Sequence, residues 1–134
     1  MTNDIDLLLA DTGPGLDELE KNIVRAGWSV YRADPGGELL RLKHAEYGVA
    51  DLLIAGTEYQ QQAIHRAVRE TIENGNVKVL AVEDVIVHKL IAGRYQDLAD
   101  IEAIIDSMVT FDYDYIEQWA KFWELGDLWE QLKP

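Results

Sequence analysis

The sequence predicts an α/β fold of the α+β kind: a small mixed β-sheet with helices packed on it and a helical C-terminal extension. Three observations lead there. Up to residue 82, short runs of Val, Ile and Leu bounded by Gly and Pro alternate with stretches of helical spacing. From residue 83 onward the apolar residues recur at helical spacing alone. The chain has 134 residues, 48% of them hydrophobic and 28% charged, which suits one folded domain with a sizeable core. The expected organisation is therefore a single domain over 1–134, with an α/β core at 1–82 and the helical extension at 83–134.

Each element has a local reason. Residues 4–10 form an apolar run and read as a buried strand. Thr12-Gly13-Pro14-Gly15 is a turn, because Pro14 and Gly15 break the pattern. Leu16, Leu19, Ile23 and Val24 recur at helical spacing over 16–26, and Gly27 ends that helix. Trp28, Val30 and Arg32 share one face of a strand, with Ser29 and Tyr31 on the other. Asp34-Pro35-Gly36-Gly37 is a strong turn. Residues 38–44 follow as a strand with Leu40 and Leu42 on one face and Leu39, Arg41 and Lys43 on the other, so an antiparallel hairpin is expected. Residues 47–54 form the next strand. Thr57 is a plausible N-cap for a long helix running to Glu73, and a short strand occupies 77–82. Helices are expected over 83–92, closed by Gly93, over 97–108 with Leu98, Ile101, Ile104 and Ile105 as its apolar stripe, over 114–125, and briefly over 127–132.

Several function classes are excluded early. Cysteine is absent, which removes disulfides, thiolate metal sites and a Cys nucleophile. No run has the length of a membrane span, and no basic, apolar leader opens the chain. A cytoplasmic location with no membrane partner is the expectation. The net charge of −13 opposes non-specific DNA binding. Arg25, Arg32, Arg41 and Lys43 form a small basic group that reads as solvated surface. His44, His65 and His88 lack any metal-ligand spacing, and neither a Walker loop nor a dinucleotide fingerprint occurs.

The most informative residues are carboxylates inside apolar strands. Asp is depleted in strands and is almost never buried without a partner. Strand side chains return to one face every second residue, so Asp4 and Asp6 share a face about 7 Å apart. If the 47–54 strand pairs beside the first, Asp51 joins them. Three carboxylates at one sheet edge repel unless a divalent cation sits among them, and an all-oxygen site favours Mg or Mn. Two such ions can clamp a transferring phosphoryl group between attacking and leaving oxygens.

The ordered set D-I-D-L-L, V-A-D-L-L-I and L-A-V-E-D-V-I-V-H-K-L-I-A-G-R-Y-Q-D-L-A-D-I-E-A-I resembles the DNA polymerase beta-type nucleotidyltransferase superfamily. It is most similar there to bacterial stand-alone proteins related to the nucleotidyltransferase toxins of abortive-infection, type IV toxin–antitoxin systems. The resemblance covers nearly the whole chain. It implies a nucleotidyltransferase-type sheet and transfer of a nucleoside monophosphate from a nucleoside triphosphate to an acceptor hydroxyl; the acceptor itself is left open, RNA and protein both being compatible. Thr2, Asp4 and Asp6 match the family's Thr-x-Asp-x-Asp strand, and Asp51 matches its third carboxylate. Asp4, Asp6 and Asp51 are thereby metal ligands for Mg or Mn, and Asp51 also assists deprotonation of the acceptor. Glu83, Lys89, Gly93-Arg94, Asp97 and Asp100 match a downstream pattern. The family's Gly-Ser phosphate turn lies upstream of the D-x-D strand, whereas this sequence starts at Met1. Slow or undetectable transfer follows as an expectation, and a non-catalytic binding or regulatory module is the alternative.

Lys89 lies mid-helix among apolar residues and has two readings. It holds the triphosphate, or it pairs with Asp97 and Asp100 at a helix–helix junction. Trp119, Trp123 and Trp129 with Tyr113, Tyr115 and Phe122 read as core packing onto the sheet. A homodimer is expected, because an edge strand rich in Leu exposes both backbone groups and apolar area. The N-terminal strand or the aromatic helices would form its interface.

Overall fold

The computed structural model describes residues 5–10, 15–32, 39–73, 75–107 and 110–134. Among them the chain runs β1 (Ile5–Ala10), α1 (Gly15–Arg25), β2 (Ser29–Arg32), β3 (Leu39–His44), β4 (Gly48–Ala55), α2 (Glu58–Arg66), β5 (Val68–Ile72) and β6 (Gly75–Val79). Four helices follow: α3 (Val82–Ala92), α4 (Tyr95–Ser107), α5 (Tyr113–Phe122) and α6 (Gly126–Leu132). The fold is mixed α+β, as the pattern predicts. Thr2, Asp4, the turn residues Thr12, Gly13 and Pro14, and the Asp34-Pro35-Gly36-Gly37 turn lie outside the described residues. The chain divides into two compact units, 1–65 and 66–134.

The first unit carries a four-stranded sheet of order β1-β4-β3-β2. β1 runs parallel to β4, whereas β3 is antiparallel to both β4 and β2. The predicted antiparallel pairing of β2 with β3 is present. Alternation sorts the side chains onto two faces. One face buries Leu40, Leu42, Ala50 and Leu52, against which Leu9, Val30 and Trp28 pack together with Leu19 and Ile23 of α1. Each fully buried Leu stabilises by about 1.5–3 kcal/mol, so this face holds α1 on the sheet. Val24, expected on the apolar stripe, is exposed instead. Helix α1 ends at Gly27, whose φ of 97° is left-handed. Its N–H reaches the Val24 carbonyl at 3.0 Å and the Trp28 N–H reaches that of Ile23 at 3.3 Å, a Schellman ending. A Cβ here would also lie 3.0 Å from His44 Nε2.

β1 is an edge. Among the described residues it pairs on one side only, and Ile5 and Leu7 are exposed there. The β3–β4 turn is braced by His44, whose Nδ1 accepts from the backbone N–H groups of Glu46 (3.0 Å) and Tyr47 (3.3 Å).

Helix α2 begins where predicted. The Thr57 Oγ1 accepts from the Gln60 N–H at 3.1 Å, and Gln60 Oε1 accepts in return from the Thr57 N–H at 3.1 Å. This reciprocal pair is a capping box. The expected run to Glu73 is corrected, since the helix stops at Arg66 and 68–72 is a strand. β-Branched Val68, Thr71 and Ile72 favour extended backbone, and antiparallel pairing with β6 sets Val68 opposite Val79 and Glu70 opposite Val77.

In the second unit, α3 touches α4 and α5, and α6 touches α4 and α5. Ile86, Val87 and Leu90 of α3, Ile101 of α4, Ile116 and Ala120 of α5 and Trp129 of α6 are buried. The aromatic rings meet at an angle: Tyr113 is tilted against Trp129 with centroids 6.3 Å apart, and Trp119 meets Tyr115 at 6.5 Å and Phe122 at 5.2 Å edge to face. No helix among the described residues is long and apolar enough to cross a membrane.

Candidate functional site

The sheet face opposite the Leu core holds the candidate site. The parallel register sets Asp6 of β1 beside Asp51 of β4. The antiparallel registers continue that row to Arg41 of β3 and Tyr31 of β2. One residue from each strand therefore crosses the sheet on one line: Asp6, Asp51, Arg41, Tyr31. Asp6 and Asp51 are brought together as the sequence predicts. Asp4 lies outside the described residues, so the third predicted ligand has no described position.

Asp51 is not an open carboxylate. Arg41 Nε lies 2.8 Å from its Oδ1 and Arg41 Nη2 lies 3.2 Å from its Oδ2, a two-point grip. The side chain of Asp51 is 15% exposed and that of Arg41 36%. The hydrogen bond that Arg41 donates to Asp51, the Asp51 charge and a further hydrogen bond with Tyr31 hold Arg41 above the ordinary guanidinium range. Next along β3, Lys43 sits 5.6 Å from the centroid of the Tyr31 ring, a cation–π contact. The basic group expected to be solvated surface is thus partly engaged: Arg41 with Asp51, Lys43 with Tyr31, and Arg32 with Glu20 at 3.7 Å. The Arg41–Asp51 partnership was legible in principle. A hairpin turn at 45–47 that pairs His44 with Gly48 forces Arg41 opposite Asp51 by simple counting.

Asp6 and Asp51 are hard oxygen donors abreast on one face, which is chemistry suited to Mg or Mn. Among the described residues, no group of three or more His, Cys, Asp or Glu is placed to hold a metal ion. The donor set fits as two of the three expected ligands, with both oxygens of one of them engaged by Arg41.

Lys89 belongs to the second unit. Its Nζ lies 2.8 Å from Asp100 Oδ2 and 4.0 Å from Asp97 Oδ1, and its side chain is 19% exposed. Arg94 closes on the other side of Asp97 with Nε 2.7 Å from Oδ2. The left-handed Gly93 (φ 64°) lets α4 fold back so that these charges meet. This geometry is the helix–helix ion-pair junction, one of the two readings for Lys89.

The Lys89 hydrogen bond, helped by one from Gln96, holds the Asp100 carboxyl below the usual carboxylate range, against the opposing pull of burial. A carboxylate whose folded pKa is depressed contributes stability above its unfolded pKa, near 3.8, and loses it as pH falls through the lower folded value. Wild-type protein should therefore lose more stability than Lys89→Met between about pH 5 and pH 2, where carboxylates protonate. Urea midpoints measured across that range check it; parallel pH curves would remove the junction's role.

Sequence reasoning missed a third cluster. Asp84, in the first turn of α3, is fully buried. Tyr115 donates its hydroxyl to Asp84 Oδ1 at 2.5 Å, and Arg66 donates Nε to Oδ2 at 3.0 Å. The Arg66 guanidinium also lies 3.9 Å over the Tyr115 ring.

In comparisons with known proteins, no family model and no curated sequence matches this chain.

Proposed function

We propose that the protein is a metal-dependent, nucleotidyltransferase-like protein. It would transfer a nucleoside monophosphate from a nucleoside triphosphate to a hydroxyl of an acceptor, RNA or protein. The observation that supports this reading is the parallel pairing of β1 with β4, which sets Asp6 beside Asp51 on one sheet face. In this reading Asp4, Asp6 and Asp51 hold Mg or Mn, which offsets phosphate charge when bound. Asp51 would also assist deprotonation of the acceptor hydroxyl. The acceptor oxygen forms a bond to the α-phosphorus as the bond to pyrophosphate breaks. Self-association belongs to the proposal as well, supported by the exposed Ile5 and Leu7 at the β1 edge.

The two-point grip of Arg41 on Asp51 favours a second reading, a non-catalytic module that keeps the fold. Two measurements separate the readings. Calorimetry with Mn should show weak uptake that Asp51→Ala abolishes; equal uptake by both proteins sinks the metal site. Incubation with labelled nucleoside triphosphates and bulk RNA should give slow, Asp51-dependent labelling if the protein is an enzyme. Metal uptake with no labelling selects the binding module.

A further inference from the structure

The sheet face contains a contradiction. The residue best placed to ligate a divalent cation, Asp51, already has a cation on both oxygens. A guanidinium is no ordinary occupant. Its planar fork matches a carboxylate and a phosphate equally well, with two parallel N–H···O bonds to either. It can therefore change partner without losing hydrogen-bond geometry. Arg41 is also reachable, since its side chain is 36% exposed while that of Asp51 is 15% exposed. An anion can approach the outer side of the guanidinium while the carboxylate stays behind it. Lys43, one step along the same face of β3 and seated over Tyr31, adds a second positive charge beside it.

We propose that the Arg41–Asp51 pair is a latch: Arg41 closes Asp51 to divalent cations until a phosphate-bearing ligand draws the guanidinium onto itself. The inference rests on the nucleotidyltransferase reading and deepens it by giving Arg41 the phosphate-binding role. Each charge keeps an opposite partner through the exchange. Arg41 passes from a carboxylate to a phosphate oxygen, and a divalent ion takes its place on Asp51. Phosphate and metal each remove the obstacle to the other, so their binding is positively coupled. No bond is made or broken, and a protein without ligand keeps Asp51 paired with Arg41.

The latch makes paired predictions of opposite sign, read by binding alone. Mn without nucleotide is titrated by electron paramagnetic resonance, and ATP with chelator present by calorimetry. Arg41→Gln should bind Mn about tenfold or more tighter than wild type, because a charge-assisted competitor is gone, and should bind ATP more weakly. Asp51→Asn should do the reverse, losing Mn and gaining ATP affinity, because its guanidinium is released. Arg41→Lys, which keeps the charge but not the fork, should fall between wild type and Arg41→Gln for Mn. Far-ultraviolet circular dichroism confirms that each variant is folded. Unchanged Mn affinity in Arg41→Gln, or unchanged ATP affinity in Asp51→Asn, overturns the latch while leaving the nucleotidyltransferase reading standing. Absence of both Mn and ATP binding in every variant overturns both.

Discussion

Replacing Arg66 with methionine is expected to destabilise the protein by about 3 kcal/mol, near the low end for breaking a buried ion pair. The reason is the other partner. Asp84 is fully buried, and a carboxylate taken out of water needs compensation on both oxygens. Tyr115 continues to donate to Oδ1, but Oδ2 loses the guanidinium. The cost falls at the low end because Arg66 itself is 40% exposed and water can approach from its open side. The position of Asp84 in the first turn of α3 offsets a further part, since a helix N-terminus favours negative charge. The double variant Arg66→Met with Asp84→Leu should recover much of the loss, because a well-packed apolar pair avoids the desolvation penalty altogether. Urea unfolding of the three proteins measures all of this. A single variant as stable as wild type would show that the buried carboxylate has no need of Arg66.

Trp129→Ala should cost about 3–5 kcal/mol, the range for emptying a large aromatic site. Trp129 is fully buried in α6, whose neighbours are α4 and α5, so no single element can close the cavity. Trp129→Phe should cost far less. The indole Nε1–H is buried and finds no acceptor among the described residues, so the smaller ring removes a polar group that gains nothing from its surroundings. A control comes from Phe122 at the end of α5, also aromatic but 66% exposed. Phe122→Ala should stay within about 0.5 kcal/mol of wild type, as surface changes do. Thermal and chemical unfolding rank the three; a Trp129→Phe loss equal to that of Trp129→Ala would mean that the N–H, not the volume, carries the contribution.

What was readable in the sequence follows the range of the interactions involved. Local chemistry was readable. The Thr57 cap, the stop at Gly27, the close at Gly93 and the antiparallel pairing of β2 with β3 all depend on residues near in sequence. The β1–β4 neighbourhood was readable as a conditional, because two apolar strands each carrying an isolated carboxylate make sense together. Residues 66–73 were not, because Arg69, Glu70 and Glu73 are helix formers and the β-branched residues among them decide only once β6 is there to pair. The Arg66–Asp84–Tyr115 cluster was out of reach altogether. Its members are 18 and 31 residues apart, and no spacing rule links them. For the candidate site, strand alternation placed Asp6 and Asp51 but could not show what fills the space beside them. Arg41 was seen and assigned to solvent.

The β5–β6 hairpin bears on how this chain tolerates change. Every residue described along β6 is exposed, and so are Val68 to Thr71 of β5. A two-stranded ribbon on its own is marginal in water, so little of the global stability resides in it. Its base is firmer, because Arg66 just before it is tied to the buried Asp84. The chain therefore makes an excursion that starts from an anchored point and contributes almost nothing to either core. Such a segment is where evolution, or an engineer, can insert a peptide, a tag or a whole domain with the smallest penalty. The turn between β5 and β6, where Glu73 already adopts a φ of 49°, is the natural point of entry for new sequence.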